Sequence, residues 1–216
     1  EVQVATIFSH LAASDDPKED NFTSAQAALF EAMSEELISI IGYKPLRHLC
    51  NSAAIVRHHR LQYEMVRLGL GLYGVDGSNT LNNKLKTTST LKTTIAQIHN
   101  VPAGGNIGYG HNTIATHDMR IATICIGYAD GYPRSMGRGA AYVLIQGSHA
   151  PTVGAICMDM CMVDITGIPE AKEGDEVTIF GDNLRVTRLG DWAHTISYEI
   201  MTGISLRVKR VYTDEV

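Results

Sequence analysis

Tyrosines in glycine-rich segments are the first residues in this sequence whose chemistry stands out. Gly108-Tyr109-Gly110 and the run from Gly127 to Tyr132, which contains Tyr128, each place a phenol where glycine leaves the neighbouring backbone uncrowded. Such a phenol can act as an acid or base, or can donate a hydrogen bond to a phosphate. It can equally be an aromatic ring packed beside a hairpin turn. Composition does not separate these two interpretations.

Two short segments earlier in the chain indicate an anion site. His48 to Ser52 and Arg67 to Leu70 would lie at the carboxyl ends of the last two strands if the first third of the chain closes a β/α barrel. Barrels often bind phosphate at that end, through backbone N–H groups and a helix N-terminus. Asn51-Ser52 alone would be only a helix cap, and Gly69 alone only a small residue in a strand.

These two segments together make a geometric prediction. The strands should end at Asn51 and near Gly69, with Ser52 and the backbone of Gly69 and Leu70 facing one point. Arg67 is flanked by apolar residues, and a buried arginine requires a partner, which can be structural or a ligand.

The cysteines argue against a metal or disulfide framework. Cys157 and Cys161 resemble a metal-ligand spacing only loosely, and no second Cys or His pair lies near them in the sequence to complete four ligands. Four cysteines in 216 residues is a low density for a chain long enough to fold without disulfides. We therefore expect no metal site and a reducing, cytoplasmic setting.

The elements that must position these residues alternate in the first third of the chain. Apolar runs predict strands over 4–8, 45–50 and 65–73. Between the first two, helical spacing from a Thr23/Ser24 cap to Gly42 predicts a long helix, and Asn51-Ser52 predicts the cap of the next one. Strands separated by helices are typical of βα units, so we expect the last three βα units of a (β/α)₈ barrel.

The pattern changes after Tyr73, where a polar segment from Asp76 to Thr90 marks a boundary. We expect residues 1–80 to belong to the barrel and residues 81–216 to form a mostly antiparallel β domain. Its predicted strands cover 94–101, 120–126, 141–145, 155–163, 176–180 and 206–211, and its predicted helices cover 187–194 and 198–201.

Charge and hydropathy exclude several classes of partner. The net charge is −5 and the pI is about 6.0, so nothing would concentrate a nucleic acid or an anionic lipid surface. No apolar run approaches the roughly 20 residues of a membrane helix. We expect a small-molecule ligand, with no nucleic acid and no membrane partner.

The longer strings resemble the alanine racemases that use pyridoxal phosphate. The chain contains, in the order and near the spacings of that family, HLCNSAA, VRLGLGLYG, IGYG, IGYADGYPR, VGAICMDMCMVDIT, GDEV and ISYEIMTGISLRVKRVY. The resemblance covers essentially the whole sequence. It implies an N-terminal (β/α)₈ barrel followed by a β domain, and a homodimer whose active site is shared across the subunits. The implied reaction interconverts L-alanine and D-alanine by two-base proton transfer on a pyridoxal-phosphate aldimine, and supplies D-alanine for peptidoglycan.

The same resemblance implies roles for the residues nearest the chemistry. Tyr109 matches the catalytic tyrosine, which acts from the partner subunit, and His10 matches a histidine that adjoins it. Arg67 matches the arginine that hydrogen-bonds the pyridine nitrogen, and His48 matches the histidine that orients this arginine. Because a guanidinium does not readily release its proton, the cofactor becomes a weaker electron sink, which should suppress transamination.

Further residues match binding positions of the family. The positions matching the cradle of the cofactor phosphate are Ser52, Gly69, Leu70 and Tyr198, with Asn51 beside them. Met158, through its backbone, and Tyr128 match substrate-binding positions beside Tyr109, and Asp15 and Arg134 match the path by which substrate enters. Ala155 departs from the family, which often has a basic residue there, so the outer part of that path is expected to differ.

The resemblance also places the opposed base, the lysine that forms the Schiff base, upstream of Glu1. None of the seven lysines of the chain stands in the family's cofactor-lysine context: Lys18, Lys44, Lys84, Lys86, Lys92, Lys172 and Lys209. We therefore expect this chain to be an incomplete, C-terminal portion of the enzyme that is inactive alone. Two alternatives stay open, namely a serine or broad-spectrum racemase of the same family and a non-catalytic dimerisation scaffold.

Overall fold

The computed structural model describes residues 2–81 and 84–213. The chain forms two compact units, Glu1–Thr88 and Ser89–Val216, and each is described by itself.

Unit 1 is built around one parallel pair of strands. Strand β1 (Thr6–Phe8) pairs with β2 (Leu46–His48), and helix α1 (Asp20–Ile41) connects them. The helix ends where Gly42 adopts a left-handed conformation and its N–H bonds to the Ile38 carbonyl. The buried side of α1 packs on the segment after β2, and this core contains Leu11, Ala27, Phe30, Leu49, Cys50 and Ala54.

Helix α1 begins earlier than the sequence predicted. A 3₁₀ turn at Pro17–Glu19 leads directly into Asp20, and the Asp16 side chain caps that turn by accepting from the Lys18 N–H. Thr23 is fully buried on the inner side of the helix, so it is not the N-cap. Asp16 followed by Pro17 is the stronger start signal, because proline fixes the backbone of a first turn and needs no N–H acceptor.

The predicted third strand over 65–73 is wrong. Only Met65 forms a parallel bridge, with His48, and the segment Leu70–Tyr73 is a 3₁₀ turn. Glycines at 69 and 71 weaken a strand, and their N–H groups bond to a side chain rather than to a ladder. The predicted cap is confirmed: helix α2 (Ser52–Arg57) starts at Asn51, whose side chain accepts from the Ala54 N–H at 3.0 Å.

Unit 2 is a closed antiparallel barrel in the strand order β3-β4-β7-β6-β5-β8. Its strands are β3 (Leu91–Val101), β4 (Met119–Ile124), β5 (Tyr142–Ile145), β6 (Ser148–Val153), β7 (Cys161–Asp164) and β8 (Glu176–Phe180). The long strand β3 closes the barrel, because its first half pairs with β8 and its second half with β4. Helices α3 (Val186–Ala193) and α4 (Ser197–Gly203) follow, close to their predicted positions.

Three strand predictions in unit 2 need correction. Residues 155–160 form a loop and only β7 is a strand, because the Cys157 N–H turns back to the Met160 carbonyl. Residues 206–211 form turns rather than a strand. Strand β6 was missed, since its sequence contains His149 and Pro151 and lacks an apolar run.

Candidate active site

A serine hydroxyl joins the two chain segments that follow β2. The Ser52 Oγ accepts the Gly69 N–H at 3.0 Å and the Gly71 N–H at 3.3 Å. Ser52 is buried at the first position of α2. Among the described residues, the N–H of Leu70, which lies between these two donors, has no protein acceptor. A hydroxyl and a neighbouring free N–H are the donors that a bound oxyanion requires.

The Arg67 guanidinium is held by carbonyl oxygens and imidazole nitrogens. One terminal nitrogen donates to the His48 carbonyl at 3.1 Å and lies 3.0 Å from the His48 Nδ1. The other donates to the carbonyls of Ser9 and Leu49, at 2.9 and 3.3 Å, and lies 3.3 Å from the His10 Nδ1. The structure therefore brings Arg67, His48 and His10 together.

The charge of Arg67 is not neutralised by these contacts. Within residues 2–81 and 84–213, the guanidinium pairs with no carboxylate and its Nε donates to no acceptor. Burial lowers the pKa of His48, and the nearby Arg67 charge lowers it further, so His48 stays neutral and can accept through Nδ1. The Arg67 guanidinium, whose Nε–H is unused, is thereby fixed two residues before Gly69.

Asn51 has a structural task beside this group. Its side-chain oxygen accepts from the Ala54 N–H and from the Ser14 hydroxyl, both at 3.0 Å. Ser14 is itself buried, while the neighbouring Asp15 is exposed. Asn51 thus fixes the start of α2, and with it the position of Ser52.

In unit 2, two loops pack against each other at their backbones. We call residues 127–131 the tyrosine loop and residues 155–160 the methionine loop. The Tyr128 N–H donates to the Cys157 carbonyl and the Ala129 N–H to the Met158 carbonyl, both at 3.0 Å. A Cβ at Gly127 would overlap both of these carbonyl oxygens, so the approach requires glycine there.

The tyrosine loop also packs against the end of α4. A Cβ at Gly131 would overlap the Gly203 carbonyl, and the Ser205 N–H donates to the Asp130 carbonyl at 3.1 Å. Tyr198, on α4, is thereby tied to the same part of unit 2 as Tyr128 and Met158. The three side chains are all about half exposed.

The glycine-flanked tyrosines differ sharply in burial. Tyr109 lies in a 3₁₀ turn (Tyr109–His111) and is 78% exposed, whereas Tyr132 is 2% exposed. Packing therefore explains Tyr132, whose pKa is raised by burial, and it does not explain Tyr109. Arg134, the other residue of this region singled out from the sequence, is exposed at the start of a 3₁₀ turn (Arg134–Met136).

Comparison with known proteins identifies the family of this chain. The model for the N-terminal domain of alanine racemase matches residues 1–77, and the model for the C-terminal domain matches residues 88–212. The chain belongs to the alanine racemase family. An alanine racemase of Nostoc sp. is 38% identical over 97% of this chain and 55% of its own length. Alanine racemase 1 of Clostridium acetobutylicum is 41% identical over 95% of this chain and 55% of its own length.

Solved alanine racemases have the same fold over the region that is shared. The Bartonella henselae enzyme, with covalently bound pyridoxal phosphate, superposes with a TM-score of 0.88 at 29% identity, over 98% of this chain and 57% of that one. A Clostridium difficile enzyme in complex with cycloserine superposes with a TM-score of 0.86 at 36% identity, over 95% of this chain and 55% of that one. The chain spans a little over half the length of the curated relatives that it matches.

The sequence prediction missed the residues that hold the candidate side chains in this member of the family. Ser14, Gly71, Asp130, Asp159 and Arg207 were not singled out. The i, i+3 spacing of Gly127 and Asp130 was an available signal, because the Asp130 carboxylate accepts the Gly127 N–H at 2.9 Å and closes that turn. The partners of Arg207 lie 48 and 77 residues away, which no local pattern reveals.

A search of the described side chains for a metal-binding cluster gives a negative result. Within residues 2–81 and 84–213, no group of three His, Cys, Asp or Glu side chains could hold a metal ion, and no helix is long and apolar enough to cross a membrane. All four cysteines are unpaired.

Proposed function

We propose that this chain contributes the cofactor cradle and the β domain of a pyridoxal-phosphate-dependent alanine racemase. The observation that carries the proposal is the Ser52–Gly69–Gly71 cluster, which lies beside Arg67, an arginine paired with no carboxylate of the described residues. In the proposed enzyme, residues 1–80 belong to a (β/α)₈ barrel and residues 81–216 to the β domain.

The donor set fits pyridoxal phosphate at two points. The Ser52 hydroxyl and the Leu70 N–H can donate hydrogen bonds to the phosphate. The space beside Gly69 is open, because a Cβ added there would come no closer than 3.9 Å to the Ser52 Oγ. The unused Nε–H of Arg67 suits the acceptor nitrogen of the pyridine ring. When bound, the cofactor supplies the electron sink that makes the α-proton of an amino acid acidic.

Arg67 would make the cofactor a weaker electron sink. A guanidinium keeps its proton, because its pKa exceeds ~12, so it donates a hydrogen bond to the ring without transferring charge. His48 and His10 hold the guanidinium in place for this task. Such a site favours return of the proton to the α-carbon over transamination.

We assign the roles of the other residues from the resemblance to the alanine racemase family. Tyr109 would be the acid or base on one face of the α-carbon, acting across a homodimer interface, and the lysine of the relatives would serve the opposite face. Tyr128 and the Met158 backbone would bind substrate, and Tyr198 would add to the phosphate contacts. The product D-alanine would enter peptidoglycan precursors in the cytoplasm.

The test uses the full-length enzyme that contains this chain, with pyridoxal phosphate. We expect it to interconvert L- and D-alanine, with L-serine racemised more slowly. Equal rates on alanine and serine would favour the broad-spectrum alternative, and no racemisation with any amino acid would favour the non-catalytic scaffold.

The cradle is tested by Ser52→Ala, compared with Ser34→Ala. Both serines are buried, but the Ser34 hydroxyl bonds only to the Phe30 carbonyl of its own helix. We expect Ser52→Ala to weaken pyridoxal phosphate binding by about ten- to a hundred-fold, since a hydrogen bond to a charged group contributes about 1.5–3 kcal/mol. Fluorescence titration of the apoenzyme measures this, and equal cofactor affinities in the two variants would remove the phosphate assignment.

A further inference from the structure

We propose that Arg207 is a positioning residue that holds the tyrosine loop, the methionine loop and the segment after α4 in one arrangement, and so sets substrate affinity. The inference deepens the proposed function and rests on it, because Tyr128 and Met158 are the proposed substrate contacts. In this proposal Arg207 acts through the two loops that carry these residues, and it is assigned no contact of its own with substrate or cofactor.

The geometry of Arg207 is that of a bridge between two loops. Its Nε donates to the Asp130 Oδ1 at 2.7 Å, and one terminal nitrogen donates to the Asp159 Oδ1 at 2.6 Å. Asp130 belongs to the tyrosine loop, and Asp159 directly follows Met158 in the methionine loop. One planar guanidinium therefore fixes the separation of two carboxylates that belong to different loops.

The third segment is tied in through the same aspartate. Asp130 uses its other carboxylate oxygen to accept the Gly127 N–H at 2.9 Å, and its carbonyl accepts the Ser205 N–H at 3.1 Å. Ser205 lies two residues beyond α4, which carries Tyr198. Movement of Arg207 would thus be transmitted to Tyr128, to Met158 and to the end of α4.

The electrostatics explain why an arginine is needed. The two carboxylates raise the pKa of Arg207 well above its usual value, with Asp130 the larger contributor, so the guanidinium keeps its charge. Without the guanidinium, Asp130 and Asp159 become neighbouring like charges on adjoining loops, and their repulsion separates the loops. A lysine restores the charge but not the fork geometry.

The experiment compares Arg207→Met, Arg207→Lys and Arg210→Met in the full-length enzyme. Arg210 is the matched control, because it belongs to the same segment but donates only to the carbonyls of Ile204, Ser205 and Val208. We expect Arg207→Met to raise the KM for alanine about ten-fold with a much smaller change in kcat, since loop displacement weakens substrate binding. Arg207→Lys should recover part of this loss, and Arg210→Met should keep the parent KM.

A second variant separates positioning from folding. Adding Asp159→Asn to Arg207→Met removes the like-charge pair, so the double variant should have a lower KM than Arg207→Met alone. Cycloserine inhibition gives a readout independent of turnover and should weaken in parallel with the KM. An Arg207→Met variant that melts at a lower temperature but keeps the parent KM and cycloserine affinity would show that the bridge only stabilises the fold.

These outcomes are distinguishable from failure of the proposed function. A parent enzyme that does not racemise alanine overturns both the proposed function and this inference. A parent that is active, together with an Arg207→Met variant of unchanged KM, overturns the inference alone.

Discussion

At the scale of single residues, the candidate site is defined by which polar groups are left unused. Arg67 has neutral acceptors around its terminal nitrogens and an uncommitted Nε, and Leu70 has an uncommitted N–H. Tyr109 presents a phenol to solvent on a turn, while the buried Tyr132 hydroxyl has no hydrogen-bond partner among the described residues. An unused donor is costly only where it is buried away from water, so this cost applies to the buried groups and not to the exposed Tyr109 phenol.

The catalytic assignment of Tyr109 predicts a large and directional defect in Tyr109→Phe. We expect racemisation to fall by about 10²- to 10⁴-fold, or about 3–5 kcal/mol of barrier, with folding and cofactor binding kept because only a hydroxyl is lost. In the proposed mechanism the lysine of the relatives would serve the opposite face, so α-proton exchange should survive for one enantiomer and collapse for the other. Solvent deuterium incorporation into L- and D-alanine, measured separately, reports both.

Tyr132→Phe is the matched control for that variant. Its hydroxyl is buried without a hydrogen-bond partner, so removing it should leave the rate unchanged and stability equal or higher. If Tyr109→Phe loses exchange equally for both enantiomers, or racemises almost normally, then Tyr109 is not the base on one face.

At the scale of elements, the sequence indicated those features whose causes are local. The cap at Asn51, the end of α1 at Gly42 and the helix that became α3 each follow from a few adjacent residues. The third strand of unit 1 failed because Gly69 and Gly71 bond to Ser52, which is 17 and 19 residues away. The methionine loop was predicted as part of a strand because its sequence is apolar, but its backbone bonds to the tyrosine loop and turns back on itself rather than joining a ladder.

The strand β2 carries an ion pair that makes unit 1 sensitive to acid. Arg47 is buried and donates to Glu64 through its backbone N–H, Nε and a terminal nitrogen, at 2.9, 3.2 and 3.1 Å. The hydrogen bonds from Arg47 lower the pKa of Glu64 from 4.5 to about 2. A depressed folded-state pKa stabilises the fold fully above the unfolded value, and this contribution is lost as pH falls through the folded value.

We therefore expect Glu64→Gln to destabilise the enzyme by on the order of 2 kcal/mol at pH 7, a figure reduced from the full pKa shift because Glu64 is partly exposed. The difference from the parent should shrink as pH falls from about 4.5 towards 2, where Glu64 itself becomes protonated. Thermal unfolding across a pH series from 7 to 3 measures this. Glu176→Gln is the control: it loses an exposed ion pair with Lys92 and should change the melting temperature little. A stability difference between Glu64→Gln and the parent that does not vary with pH would contradict the lowered pKa of Glu64.

At the scale of the whole molecule, the residues proposed to act together are distributed over two units. Arg67, His48 and Ser52 belong to Glu1–Thr88, whereas Tyr109, Tyr128 and Met158 belong to Ser89–Val216. In the proposed homodimer, Tyr109 of one subunit would serve the cofactor held by the other. An isologous dimer of this kind has two identical sites, each built from both chains.

Shared sites predict that two inactive variants restore each other. Tyr109→Phe and Arg67→Ala are each expected to be nearly inactive in the full-length homodimer, but a heterodimer of the two contains one site with both native residues. Random reassociation of equal amounts gives half heterodimers, so activity should recover to about a quarter of the parent value. Differently tagged subunits, dissociated and mixed, allow the heterodimer to be purified and assayed, with the Tyr109→Phe, Arg67→Ala double variant mixed with itself as the control. If Tyr109 instead served the cofactor of its own subunit, the heterodimer would contain no intact site, and the mixture would stay as inactive as the separate variants.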